Sequence, residues 1–335
     1  MKDNEECRAS QIRPGHVLIC GLGSIGRRHL RHLRAMGVPR VDAFRTGTAT
    51  LPDEGQPPPD HVYKDLGAAL DAAPQVVVIS NPTSLHIATA RAAICAGCHV
   101  LVEKPLSNNL EGIDALKAEV EASGRVLAIG CNLRFHPMLQ MVRRWIQIPG
   151  TLGRPRHARI HFHAFLPAWH PWEDYRTSYA ARRDLGGGAA LTHIHEIDYA
   201  LWLFGPADIA MGLAAKDHPL GTDVDEYTGL LIRHASGVTS SLSLSICTGP
   251  PSRGFEIAFD EGTVRGDLIS NRWTVFRADG LIQEGSLEPD FNIDLTYRLQ
   301  LERFFETIEG KVPGPEVGIA EGSAALRIAL CPGRA

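Results

Sequence analysis

The chain has 335 residues, 44% hydrophobic and 21% charged, which is material enough for two ordinary domains. Its formal net charge of −4 gives no electrostatic reason to expect a nucleic-acid partner, and no run of about twenty apolar residues is present to cross a membrane. Residues Met1–Glu6 lack the hydrophobic stretch of a secretory signal, so a soluble, cytoplasmic protein with seven reduced cysteines is expected.

In chain order, the first element is the short apolar run His16-Val17-Leu18-Ile19-Cys20, which reads as a buried parallel strand. Gly21-Leu22-Gly23-Ser24-Ile25-Gly26 follows without a gap and leads into a helix over 24–36, closed by Gly37 and Pro39. Gly21 permits the tight turn, Gly23 lets the backbone approach a pyrophosphate, and Gly26 lets helix and strand pack closely. Ser24 and Ile25 bring free N–H groups and the positive end of the helix dipole to the same place. A dinucleotide site is therefore expected here. The basic residues Arg27, Arg28, Arg31 and Arg34 read as a solvated helix face.

Strands are expected near 41–45, 76–80, 99–103 and 126–130, with helices near 65–72, 85–96 and 110–123. Such alternation predicts a doubly wound parallel sheet. The second strand ends in Arg45-Thr46, with no carboxylate where a ribose-binding acid belongs; this favours NADP over NAD, since an arginine can pair a 2′-phosphate. Residues 47–60 read as a Pro- and Gly-rich surface loop. Cys95 and Cys98 form a C-x-x-C that ends a helix and is read as structural.

Ligands of such sheets lie beyond the carboxyl ends of the strands. Asn81-Pro82-Thr83, Glu103-Lys104-Pro105 and Cys131-Asn132-Leu133-Arg134-Phe135 occupy those positions. A lysine in that cleft can hydrogen-bond a substrate hydroxyl and share its proton as hydride leaves, which singles out Lys104.

Beyond Pro137 the pattern changes to alternating strands near 156–165, 238–246, 255–259 and 273–276, the mark of an antiparallel sheet with one buried face. Helices are expected over 295–309 and 318–330, the last returning to the first domain. The division expected is residues 1–135 for the dinucleotide-binding domain and 136–335 for a substrate and oligomerisation domain. His157, His161 and His163 share a strand face and read as a polar surface, with no metal site expected. Trp169, Trp172, Tyr175 and Tyr179 suggest a wall for stacking a sugar, with Arg176 and Arg182 as anion grips. The segment Gly186-Gly187-Gly188 precedes a helix bearing His195 and Asp198 on one face. His195 can exchange the proton of a carbinol, Asp198 can orient it or simply support packing, and His193 points elsewhere and reads as peripheral.

Gly21–Gly26, Glu103-Lys104-Pro105 and the glycine run leading to His195 together resemble the Gfo/Idh/MocA oxidoreductase family over nearly the whole chain. The resemblance implies a Rossmann domain followed by an α+β domain with a large, mostly antiparallel open-faced sheet, assembled through that face as a homodimer or homotetramer. It implies NAD(P)-dependent oxidation or reduction of a sugar or cyclitol, with Lys104 and His195 catalytic. Asn81, Pro82 and His86 match the segment lining nicotinamide and ribose, and Glu103 and Asn132 fall beside it. Leu166–Arg176 and Asn132–Pro137 are similar to members associated with surface-polysaccharide or nucleotide-sugar pathways. Arg134, Trp169, Trp172, Tyr175, Thr192 and Asp198 then join Lys104 and His195 toward a carbohydrate-like substrate. The chain departs from the pattern at Thr192, where many members carry an aspartate. A dinucleotide-binding sensor without turnover, or an imine or enone reductase, is the alternative expectation.

Overall fold

The structure, a computed structural model, describes residues 14–46, 58–148, 152–169, 171, 174–215 and 217–331. The first half builds a six-stranded sheet from β1 (His16–Cys20), β2 (Arg40–Phe44), β3 (Val62–Tyr63), β4 (Val76–Ile79), β5 (His99–Glu103) and β6 (Leu127–Gly130). All pairings are parallel, and the spatial order β3-β2-β1-β4-β5-β6 is that of a Rossmann fold. Helices α1 (Ser24–Ala35), α2 (Leu66–Asp71), α3 (His86–Cys95) and α4 (Ile113–Ser123) connect the strands. Val17 and Ile19 of β1 enter one hydrophobic cluster and Leu18 and Cys20 another, so both faces of the strand are covered. That double burial is why the segment is apolar throughout.

The second half opens with α5 (Pro137–Gln147) and carries an eight-stranded sheet: β7 (Pro155–Phe165), β8 (Ala207–Ala214), β9 (Tyr227–His234), β10 (Thr239–Ser245), β11 (Cys247–Phe259), β12 (Thr263–Asp267), β13 (Arg272–Arg277) and β14 (Gly280–Ser286). Its order is β14-β13-β12-β11-β7-β10-β9-β8, antiparallel except where β10 runs parallel to β7. Leu242 and Leu244 are buried against the helix layer, whereas Ser241 and Ser243 lie on the other face. Four of these strands, β8, β9, β12 and β14, go beyond the sequence expectation.

The helix expected after Gly186-Gly187-Gly188 is broken. It divides at His193 into α6 (Ala189–Thr192) and α7 (Ile194–Phe204). Two later helices return to the first sheet rather than one. In α8 (Asp294–Ile308), Leu301, Phe304 and Phe305 join Leu30 and Leu33 of α1 over one face of the parallel strands. In α9 (Ile319–Ala329), Gly322 packs against Ile129 and Leu106, and Ile129 N–H donates to the Val317 carbonyl at 2.9 Å just before it. The basic face of α1 is therefore not free in solvent: Arg28 pairs with Asp294 at 2.8 Å and stacks on Tyr297 of α8, while Arg34 pairs with Asp60.

Candidate active site

The glycine turn fits a dinucleotide. Gly21 adopts φ +98°, and a Cβ there would stand 2.7 Å from the Asn81 nitrogen. A Cβ on Gly26 would stand 2.0 Å from the Gly21 carbonyl oxygen. By contrast, a Cβ on Gly23 would meet nothing within 4 Å, so the backbone there faces open space. Ser24 is exposed and Ile25 half-buried at the first turn of α1, leaving their N–H groups available to phosphate. In the middle of β2, Asp42 is wholly buried and pairs with His16 at 2.9 Å and Arg40 at 2.7 Å. It is therefore turned away from any ribose, and Arg45 and Thr46 follow the strand on the accessible side. Residues 47–57 lie outside the described residues.

Three of the residues expected beside the nicotinamide are hydrogen-bonded to neighbouring elements. His86 is 2% exposed, with Nδ1 2.8 Å from the Pro105 carbonyl and Nε2 3.0 Å from the Asn81 carbonyl, so it braces two strand ends from behind. Glu103 is buried and hydrogen-bonded to His29 of α1 at 2.7 Å. Asn132 donates to Thr296 of α8 at 2.7 Å. Asn81 donates to Thr89 at 3.0 Å, but its Oδ1 is buried with no partner among the described residues. Pro82 opens the short turn that follows.

Lys104 leaves the end of β5 and crosses to the second half of the molecule. Its Nζ donates to the main-chain oxygen of Thr192 at 2.8 Å. An ammonium carries three donors, so two remain for a ligand. The break in the helix supplies this acceptor: α6 ends at Thr192, whose carbonyl is one that a short helix leaves without an internal partner. Three residues on, His195 lies in the first turn of α7 at 7% exposure, its Nδ1 buried without a partner among the described residues. Burial, then the Lys104 charge, then Arg253 and His193 hold its ring well below the ordinary imidazole pKa, so it is neutral near pH 7. Thr192 Oγ1 is likewise buried and unpartnered among the described residues.

Other expectations are corrected. His193 is not peripheral: it is 1% exposed, bonded to the Ser245 carbonyl at 3.0 Å, and packed on Phe162 with ring centroids 4.1 Å apart. Asp198 does not reach His195; both its oxygens accept from Arg134, at 3.0 and 2.7 Å, and each residue is about 5% exposed or less. These two buried charges are paired with one another. Arg176 pairs with Asp174 and Arg182 with Asp184, so neither is an unengaged anion grip. Tyr175 donates to the Leu220 carbonyl at 3.0 Å, and Trp169 lies half-buried 5.9 Å from the His193 ring at the rim of the site. Trp172 lies outside the described residues. His161 and His163 bond Ser252 and Ser243, and no group of three metal-ligating side chains occurs among the described residues.

The sequence reading missed Arg253 and Glu196. Arg253 lies on β11 opposite Phe162 of β7, facing the helices. Its Nε donates to the wholly buried Glu196 at 2.7 Å, and its guanidinium stacks 4.3 Å over the Phe162 ring. Only the cross-strand register brings it there.

Known proteins match this arrangement. The family described as "Oxidoreductase family, NAD-binding Rossmann fold" matches residues 16–131, and its companion, the GFO/IDH/MocA C-terminal domain, matches residues 139–265. UDP-N-acetylglucosamine 3-dehydrogenase of Acidithiobacillus ferrooxidans is 27% identical over 320 residues, covering 92% of each chain. Myo-inositol 2-dehydrogenase of Thermotoga maritima is 26% identical, again over 92% of each chain. The solved WlbA dehydrogenase of Bordetella pertussis, in complex with NADH and UDP-GlcNAcA, superimposes with a TM-score of 0.75 at 20% identity, covering 95% of this chain and 97% of that one. That last likeness is one of fold.

Proposed function

Because the chain belongs to the GFO/IDH/MocA family of oxidoreductases and carries its NAD-binding Rossmann fold, we propose that it oxidises or reduces a carbinol carbon of a sugar, cyclitol or nucleotide-linked sugar. The observation that carries this reading is the 2.8 Å bond from Lys104 to Thr192, which brings an ammonium from the Rossmann sheet to within three residues of the neutral His195. The nicotinamide, when bound, takes or returns the hydride. Lys104 holds the substrate hydroxyl with its remaining donors and polarises it. His195, kept neutral, accepts the hydroxyl proton on oxidation; burial beside two cations makes it ready to return that proton on reduction.

The preferred cofactor in this reading is NADP, supported by the inward-turned Asp42 and by Arg45 at the strand end. Assembly into a homodimer or homotetramer through the open sheet face is supported by Met211, Leu213 and Leu231, which stand exposed there, Leu213 at 81%.

The test uses purified protein with NADP or NAD and a panel of myo-inositol, free sugars and UDP-N-acetylglucosamine, following absorbance of the reduced nicotinamide. Turnover is expected, and Lys104→Met should reduce it by about 10²–10⁴ while cofactor affinity persists. Tight cofactor binding with no turnover of any panel member counts against the reading.

A further inference from the structure

We propose that the substrate carries an anionic group, a carboxylate or phosphate close to the reacting carbon, and that Arg253 receives it. This rests on the oxidoreductase reading above and narrows its substrate class.

Two of the buried carboxylates near the site are already engaged. Asp198 has given both oxygens to Arg134, and Glu103 is bonded to His29. Neither is available to balance a cation near His195. Among the described residues, the hydrogen-bond partner of Lys104 is a neutral carbonyl. The charges that depress the His195 pKa are Lys104 and Arg253, both cations. Glu196, bonded to Arg253 and close enough to Lys104 to feel its charge, is the carboxylate that faces them, so two cations meet one anion and the excess positive charge favours a ligand that brings its own negative charge.

Arg253 is built to receive it. A guanidinium offers five donors around a planar fork, and Glu196 takes Nε. Nη2 is buried without a partner among the described residues, as is Oε2 of Glu196, so the pair is joined by one bond and the outer edge of the fork is left over. The fork is held flat by Phe162 beneath it and fixed laterally by a carboxylate that is itself wholly enclosed. Pre-ordering of this kind lowers the entropy lost when a second, charge-assisted contact forms. Placement is decisive too. The Arg253 charge reaches the His195 ring, and Phe162 beneath the guanidinium also packs on His193, so the fork lies toward the reacting end of the cleft. Thr192 Oγ1, buried and unpartnered, adds a neutral donor beside the Lys104 anchor. Within the anionic class this placement favours a carboxylate on the reacting ring over a diphosphate farther along the ligand.

Binding decides it without relying on turnover. The protein saturated with NADP is titrated calorimetrically with glucuronate and galacturonate, with glucose and galactose, and with UDP-N-acetylglucosamine against N-acetylglucosamine. At least one uronic acid is expected to bind tenfold or more tighter than its neutral counterpart. That ratio should collapse toward one in the double variant Arg253→Met/Glu196→Gln, which leaves no buried carboxylate unpaired, and Arg253→Lys should retain part of it. A purely structural pair would weaken acid and neutral ligands alike and leave the ratio intact, which overturns the proposal. So does the absence of any acid preference in wild type. A preference confined to the UDP pair places the anion on a linked phosphate instead of the ring. If the binding ratios hold while no panel member is oxidised or reduced, the oxidoreductase reading fails and the anion site stands.

Discussion

His29 and Glu103 meet inside the protein, 74 residues apart in sequence, through one hydrogen bond of 2.7 Å. The first is on the helix that begins at the glycine turn, and the second precedes Lys104 in the chain. The pair therefore links the phosphate-binding helix to the corner that supports the reacting ammonium. His29→Leu leaves the carboxylate buried and unpaired. A loss of about 2 kcal/mol is expected from the lost charge-assisted bond, read as a lower denaturant midpoint. His29→Gln, which keeps a donor, should recover part of that loss, and kcat should fall more than KM for the cofactor changes. Equal stability in His29→Leu and wild type would show the bond to be unimportant.

The Arg134–Asp198 pair predicts a contrast between single and double substitution. Both side chains are buried and bidentate, so removing either strands a charge. Arg134→Met is expected to cost about 3–5 kcal/mol in chemical unfolding, whereas Arg134→Met with Asp198→Leu should cost far less. If the single variant unfolds at the wild-type midpoint and instead raises KM for substrate, Arg134 is a ligand contact after all.

Much of this was legible because burial imprints itself on sequence. The strand His16–Cys20 is apolar at each interior position since both its faces are covered, and its observed limits equal the expected ones. Lys104 could be placed at the cleft because strand ends are where such folds put ligands, and it does leave the end of β5 there. What stayed hidden depends on tertiary register. Pro137 reads as a boundary, yet it is the first residue of α5, where a missing N–H costs nothing. β8 escaped notice because its alternate residues Ile209, Met211 and Leu213 are apolar and exposed, the reverse of a solvated strand face. Arg253 follows Pro250-Pro251-Ser252, a run that resembles a turn, and only its pairing with Phe162 makes it part of the site. Likewise, nothing local indicates that Asp198 turns to Arg134 and not to His195.

Stability should fall on the acid side because several histidines are folded neutral. Burial, reinforced by the Arg253 charge, lowers His136 to about 4 from an ordinary 6.5. The unfolded chain binds that proton below about pH 6.5 and the folded one does not until about pH 4, so stability declines as pH falls through this window and is unaffected above it. At pH 5 the His136 contribution is about 2 kcal/mol. His86, His193 and His195 are shifted in the same direction. His136→Phe keeps the ring that packs edge-on against Phe291. Comparing denaturant midpoints at pH 7 and pH 5 should show a smaller acid loss in this variant than in wild type; identical losses would remove His136 as a source.

Cofactor choice provides the last test. In the NADP reading a 2′-phosphate would add two negative charges beyond the end of β2, while Asp42, in mid-strand, is committed to His16 and Arg40. Arg45 is the cation placed to meet them, and its backbone is held by the Tyr63 carbonyl at 3.0 Å, so replacing the side chain leaves the strand pairing intact. Arg45→Ala should therefore raise KM for NADP by about tenfold, as expected for losing one charge-assisted contact near solvent, while KM for NAD changes little. The diagnostic quantity is the ratio of kcat/KM for the two cofactors, since a general disturbance of the turn would lower both together. A wild-type ratio favouring NAD, or a ratio unmoved by the substitution, assigns the ribose end to other residues.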